Sequence, residues 1–117
     1  MEIRHTRADG DDGIRLLTAY LAEMRRRTPS YDPARGSSAN ENEMAPPTGC
    51  FLVAVDEDVP LGCVGLKRLD ATTAEVKRLY VSPQTRGRGI SRALMTALEI
   101  EATRLGYTTL RLDTGPN

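Results

Sequence analysis

The stretch EVKRLYVSPQTRGRGIS, Glu75 to Ser91, decides how this chain is organised. Its first seven residues alternate as a β-strand does, with Glu75, Lys77, Leu79 and Val81 on one face and Val76, Arg78 and Tyr80 on the other. Ser82 to Gly89 is a turn containing a proline, two glycines and two arginines. Beyond it Ile90, Leu94, Leu98, Ala102 and Leu105 recur at spacings of three and four, which predicts a long amphipathic helix. Gly106 is suited to end that helix in a left-handed conformation, and Tyr107 follows where a hydrophobic closing contact is common.

Outward from this unit the pattern is that of a small α/β (α+β) domain. CFLVAV (Cys50 to Val55) and LGCVGLKRL (Leu61 to Leu69) precede Glu75–Val81 with short connections, and the three read as an antiparallel meander. TTLRLD (Thr108 to Asp113) reads as a final strand, and TGPN begins a turn. At the other end Glu2 to Thr6 is a weak first strand, and ADGDDG supplies turn residues and acids suited to a helix start. From Gly13 to Arg27 the residues Ile14, Leu17, Tyr20, Leu21 and Met24 form one apolar helical face, closed by Arg25, Arg26 and Arg27. Thr28 to Gly49 has four prolines, two glycines, three serines and almost no aliphatic residue except Met44, so it reads as a long loop or a broken short helix, a candidate substrate-side segment.

Composition narrows the function. A chain of 117 residues, 39% hydrophobic and 27% charged, has the size and balance of one soluble domain, 1–117. Sixteen basic and sixteen acidic residues cancel, so no global field recruits nucleic acid or an anionic membrane. Their distribution is uneven: Thr28 to Pro60 holds six acids against Arg35 alone, whereas Arg78 to Arg111 holds six arginines against Glu99 and Glu101. Cys50 and Cys63 lack CxxC spacing and His5 is the only histidine, so no metal site and no histidine-dependent triad is expected. Buried, reduced thiols suit a cytoplasmic protein. No apolar run approaches the roughly 18 residues of a membrane span, and the charged start MEIRHTRADGDD is not a signal peptide.

The strand, glycine loop and helix point to an anion site. A helix start presents unpaired N–H groups and a partial positive charge, and glycines let a phosphate approach that backbone. Gly87 and Gly89 can adopt conformations closed to other residues, while Arg86 and Arg88 can add charge-assisted hydrogen bonds. A Walker loop would need GxxxxGK, and no lysine stands here; a dinucleotide fingerprint would need a third glycine where Arg92 stands. An arginine patch for nucleic acid would lack stacking partners, with one Phe and no Trp in the chain.

With its flanks LYVSP and RALM, the stretch resembles the GCN5-related N-acetyltransferases (GNAT), whose acetyl-CoA signature Q/R-x-x-G-x-G/A is matched by Gln84, Thr85, Arg86, Gly87, Arg88 and Gly89. The resemblance implies a GNAT-like acyl-CoA N-acyltransferase fold, a mixed and mostly antiparallel sheet flanked by helices. It implies that the pantetheine arm pairs with the backbone of Leu79, Tyr80 and Val81, and that the pyrophosphate rests on amides from Thr85 to Ser91, Ile90 included. Glu75, nine residues before Gln84, stands where the histone-acetylating branch has its general-base glutamate. The oxyanion would meet a backbone N–H near Leu79 or Val81. No tyrosine matches the family's acid position, so no general acid is assigned.

Family members continue past the equivalent of TGPN with a helix and two strands. The expectation is therefore a C-terminally shortened domain whose last strand offers an uncovered edge to a second copy. Three functions compete. The first is an acetyl-CoA-dependent N-acetyltransferase acting on a small-molecule or peptide amine. The second is a non-catalytic CoA-binding or dimerising module. The third, a nucleic-acid-binding surface of Arg86, Arg88, Arg92 and Arg104, is disfavoured by the neutral charge.

Overall fold

The computed structural model describes residues 1–32 and 39–112. After Glu2–His5 (β1) and the helix Asp11–Arg27 (α1), the sheet is centred on the apolar run Cys50–Asp56 (β2). Phe51, Val53 and Val55 enter one core and Cys50, Leu52 and Ala54 the other, which is why this strand shows no polar alternation. Glu57 and Asp58, with φ of 49° and 64°, turn the chain into Val59–Arg68 (β3). Thr73–Val81 (β4) runs antiparallel to β3, a short 3-10 turn at Pro83–Thr85 leads into Ile90–Arg104 (α2), and Thr109–Leu112 (β5) returns parallel to β4. The sheet order is β1-β2-β3-β4-β5, mixed and mostly antiparallel as expected, with one helix on each face.

On one face α2 buries Ile90, Leu94, Leu98 and Ala102 against Leu52, Ala54, Val64, Leu66 and Val76. Each such leucine contributes about 1.5–3 kcal/mol by leaving water. The helix ends as its sequence predicts: Gly106 has φ of 94°, the Tyr107 amide donates to the Ala102 carbonyl at 3.0 Å, and the Tyr107 ring closes the end of the core. Its hydroxyl donates to the Thr48 carbonyl at 2.5 Å, which confirms packing as the role of this tyrosine.

The α1 face differs from its sequence reading. Helix α1 starts at Asp11, with Asp11 and Asp12 in the first turn, where acids meet the positive helix end as ADGDDG suggests. Leu16, outside the expected stripe, is its deeply buried side chain, while Ile14 is 55% exposed. The helix is rotated so that part of its stripe meets the sheet and part faces a cavity. Opposite it, the segment before β2 is anchored rather than loose: Met44 is buried in the core with Phe51, Cys63 and Tyr80. Met44 lies over Gly65 of β3, where any Cβ would collide with its Sδ. Asn40 Oδ1 accepts from the amides of Asn42 and Glu43 at 2.9 Å each, and Glu43 Oε1 accepts from the Asn40 amide at 3.0 Å, a reciprocal cap that fixes this segment.

The simple alternation expected along Glu75–Val81 also fails. Gly65 pairs with Lys77 and Cys63 with Tyr80, so β4 carries an extra residue, a β-bulge, centred on Arg78 with φ of 58°. Val76 and Val81 therefore pack on the α2 face together, and Tyr80 stays on the α1 face. Lys77 and Glu75 lie opposite Val76, 1% and 4% exposed, with Lys77 Nζ 3.5 Å from Glu75 Oε1.

Candidate active site

The loop between β4 and α2 has the geometry that an anion site requires. Gly87 and Gly89 have φ of 84° and 78°, a region in which a side chain is strained. A Cβ at either would meet nothing within 4 Å, so the glycines are demanded by backbone conformation and not by crowding. Gly89 caps α2 and its carbonyl accepts from the Ala93 amide at 3.1 Å, leaving the first-turn amides of Ile90 and Ser91 without intrahelical acceptors. Ser91 is exposed and Ile90 is buried, so Ile90 holds the helix to the sheet while its amide belongs to the helix end.

The side chains of this loop divide their work. Thr85 is buried and its hydroxyl donates to the Ser82 carbonyl at 3.0 Å, which closes the short 3-10 turn; Gln84 beside it is exposed. Arg86 turns away from the helix end. Its Nη2 donates to Glu23 Oε1 of α1 at 2.7 Å, its Nε to the Val81 carbonyl at 3.0 Å, and its guanidinium lies 5.9 Å from the Tyr80 ring centre. Arg88 remains largely in solvent, with Nη2 3.9 Å from Asp56 Oδ2.

Leu79, Tyr80 and Val81 lie just beyond the bulge. Leu79 is 38% exposed, whereas Tyr80 is buried, meets Tyr20 edge-to-face at 6.2 Å, and has its phenol pushed up by burial. Among the described residues, β4 pairs with β5 only from Thr73 to Val76, so this segment has β3 alone as a neighbour. Glu75 is on the same strand but inside the protein, held by Lys77 as a buried carboxylate must be. Cys50 and Cys63 are buried with thiols pushed up to about 12 by desolvation, which makes both poor nucleophiles. No group of His, Cys, Asp and Glu suited to a metal occurs among the described residues.

A cavity of about 400 Å³ opens on the α1 face beside the bulge. Ile14, Leu17, Leu21, Ala8 and Met44 give it apolar walls, with Tyr20 and Arg78 at its polar side. The sequence reading missed Glu23, Tyr20 and Arg78. Tyr20 was legible only as part of an apolar stripe, and nothing local distinguishes Glu23 or Arg78 from surface charges, because their partners are 63 and 39 residues away.

Comparison with known proteins agrees with this fold. Residues 15–117 match the model of the Acetyltransferase (GNAT) family, and the chain belongs to that family. An uncharacterized N-acetyltransferase of Schizosaccharomyces pombe is 34% identical over 109 residues, covering 91% of this chain and 66% of its own length. The IAA acetyltransferase of Azospirillum brasilense is 39% identical over 104 residues, covering 87% of this chain and 63% of its own. The chain thus spans slightly less than two thirds of these relatives. A crystal structure of an aminoglycoside 6'-N-acetyltransferase complexed with coenzyme A superposes with a TM-score of 0.70 and 26% identity, over 96% of this chain and 61% of the other. No helix among the described residues is long and apolar enough to cross a membrane.

Proposed function

We propose that this chain is an acetyl-CoA-dependent N-acetyltransferase that moves an acetyl group to a primary amine by direct attack. The observation that carries the reading is the pair of left-handed glycines, Gly87 and Gly89, opening onto free space at the start of α2. The amides of Gly87 to Ser91 would hold the pyrophosphate, since those of Thr85 and Arg86 already donate to the Ser82 and Pro83 carbonyls; Arg88 would reach its charge, and Leu79, Tyr80 and Val81 would offer backbone to the pantetheine arm. Arg86 serves a different end in this proposal: it fixes the loop to α1 through Glu23. Acetyl-CoA supplies a thioester whose C–S bond breaks as the amine forms a C–N bond. The amine proton leaves through water to Glu75, and the sulfur leaves as thiolate and is reprotonated from solvent. No metal is required. A cytoplasmic setting suits the free thiols of Cys50 and Cys63. Of the segment 28–49, residues 33–38 lie outside the described ones; Ala39, Asn40, Glu41 and Met44 line the cavity and would form part of the substrate side of the domain.

A CoA-binding module without turnover is the second reading, favoured by the burial of Glu75 and its pairing with Lys77. Calorimetric titration with acetyl-CoA, with ATP as comparator, tests the shared cofactor claim. Gly87→Val with Gly89→Val is expected to weaken acetyl-CoA binding at least tenfold in a folded protein; unchanged affinity would remove the site. Amine-dependent release of CoA separates the two readings. Glu75→Gln is expected to lower turnover at least tenfold with CoA affinity unchanged, and equal turnover across pH would remove Glu75 as the base.

A further inference from the structure

We infer that the acceptor is a small amine that also carries a carboxylate and an apolar group, such as an apolar α-amino acid, and that Arg78 reads its carboxylate. This rests on the acetyltransferase reading and identifies the class of molecule that the cavity on the α1 face would take.

The bulge is the first reason. A non-glycine residue at φ of 58° is uncommon, and bulges occur where a side chain has to be re-aimed. Here the bulge turns the Arg78 guanidinium under α1, 5.9 Å from the Tyr20 ring centre, and into the wall of the cavity.

The state of that guanidinium is the second. Among the described residues Arg78 makes no ion pair, and its one hydrogen bond from Nη2 runs to the Ala39 carbonyl at a long 3.3 Å. A guanidinium has five N–H donors in a fixed fork that matches a carboxylate in two parallel bonds. The Tyr20 ring, 5.9 Å away, gives it a cation–π neighbour but no counter-charge.

The charges nearby do not cancel it. Asp9 lines the cavity, but its carboxylate accepts from Arg7 Nε at 2.8 Å and is held below the usual carboxylate range by Arg7. Glu41 is exposed at the rim. Apart from Thr18 and Asn40, the remaining walls are apolar, chiefly Ile14, Leu17, Leu21 and Met44, and Ile14 is 55% exposed as it stands. About 400 Å³ suits a compact ligand, at the small end of known sites.

The connection to chemistry is through the chain. Arg78 immediately precedes Leu79–Val81, the segment beside which the thioester would lie. In an α-amino acid the nitrogen and the carboxylate share one carbon, so a carboxylate held by Arg78 would keep the amine near Tyr20, whose ring meets Tyr80 of that segment. A polyamine or other polycation would meet the guanidinium with like charge.

The test is calorimetric titration of the chain, with and without desulfo-CoA, using leucine, leucinamide and 3-methylbutylamine, then phenylalanine and phenethylamine, then spermidine. The free acids are expected to bind at least tenfold more tightly than their amide and amine counterparts. Arg78→Gln should abolish that preference, and Arg78→Lys should restore part of it. Preference for the amides, amines or spermidine, no binding of either acid, or an acid preference surviving in folded Arg78→Gln would overturn the proposal. Binding is read without turnover, so the two readings fail separately. Acid preference in a chain that acetylates nothing would sink the enzymatic reading alone. Acetylation of amines that lack a carboxylate as fast as of the acids would sink this one alone.

Discussion

On the α2 side of the sheet Leu94 and Leu98 have no exposed surface and meet Leu52, Val64 and Leu66 in a closed apolar core. On the α1 side a cavity opens beside part of the helix, an arginine stands at a bulge, and a lysine and a glutamate are buried together. The first face carries the loop proposed to hold acetyl-CoA. The second carries the cavity proposed to take the acceptor. Tight packing suits the first task, because the loop at the start of α2 is held only as firmly as Ile90 and Leu94 are. Loose packing on the other face leaves room for change without loss of the fold.

The largest expected difference between the faces is in stability. Leu94→Ala should destabilise the protein by about 3 kcal/mol, the usual range for a leucine removed from a closed core. Ile14→Ala, which removes an exposed wall of the cavity, should cost less than about 0.5 kcal/mol. Urea denaturation of the two variants breaks the comparison if the losses are equal. Next in size is Gly65→Ala, whose new methyl meets Met44 Sδ; a loss of about 1–3 kcal/mol is expected. Met44→Ala in the same chain should relieve the collision, so a double-mutant cycle that adds without coupling would show that this segment yields more readily than its burial suggests.

The smallest effect is electrostatic and concerns Glu43. The Asn40 amide, and after it Lys67, hold the Glu43 carboxyl below its ordinary value. Its unfolded form therefore takes up a proton first as pH falls. The stability it supplies is fully present above the ordinary carboxylate value and is lost as pH drops through the lowered one. Glu43→Gln should flatten that part of the acid limb, a change of a few tenths of a kcal/mol visible in thermal melts between about pH 3 and 5. An unchanged limb would assign the acid sensitivity to other carboxylates.

Much of the α2 side was legible because its signals are local. Strand, glycines, helix and the Gly106 stop lie within one stretch, and each residue acts on neighbours a few positions away. The α1 side was less legible because its determinants are distant. A period of two along Glu75–Val81 gives no warning that Arg78 is an extra residue, since bulging depends on how β3 pairs with it. Lys77 reads as a surface charge, yet it is buried. Met44 did leave a trace, as an isolated aliphatic residue in a polar tract, which is how an anchor looks when the rest of its segment is solvated. The helix's own periodicity does not show that Leu16 is buried in one cluster with Met44 while Ile14 is exposed.

The turn between β2 and β3 has a practical consequence. Glu57 and Asp58 both occupy left-handed backbone, the arrangement of a two-residue hairpin loop that asparagine followed by glycine fills without strain. The native pair leaves heat resistance unused, because a left-handed L-residue other than glycine costs about 1–2 kcal/mol and Asn-Gly avoids most of it. Replacing these two positions should raise the melting temperature by about 4 °C. Such a hardened background would tolerate the damaging core and cavity variants that dissection of the two faces requires.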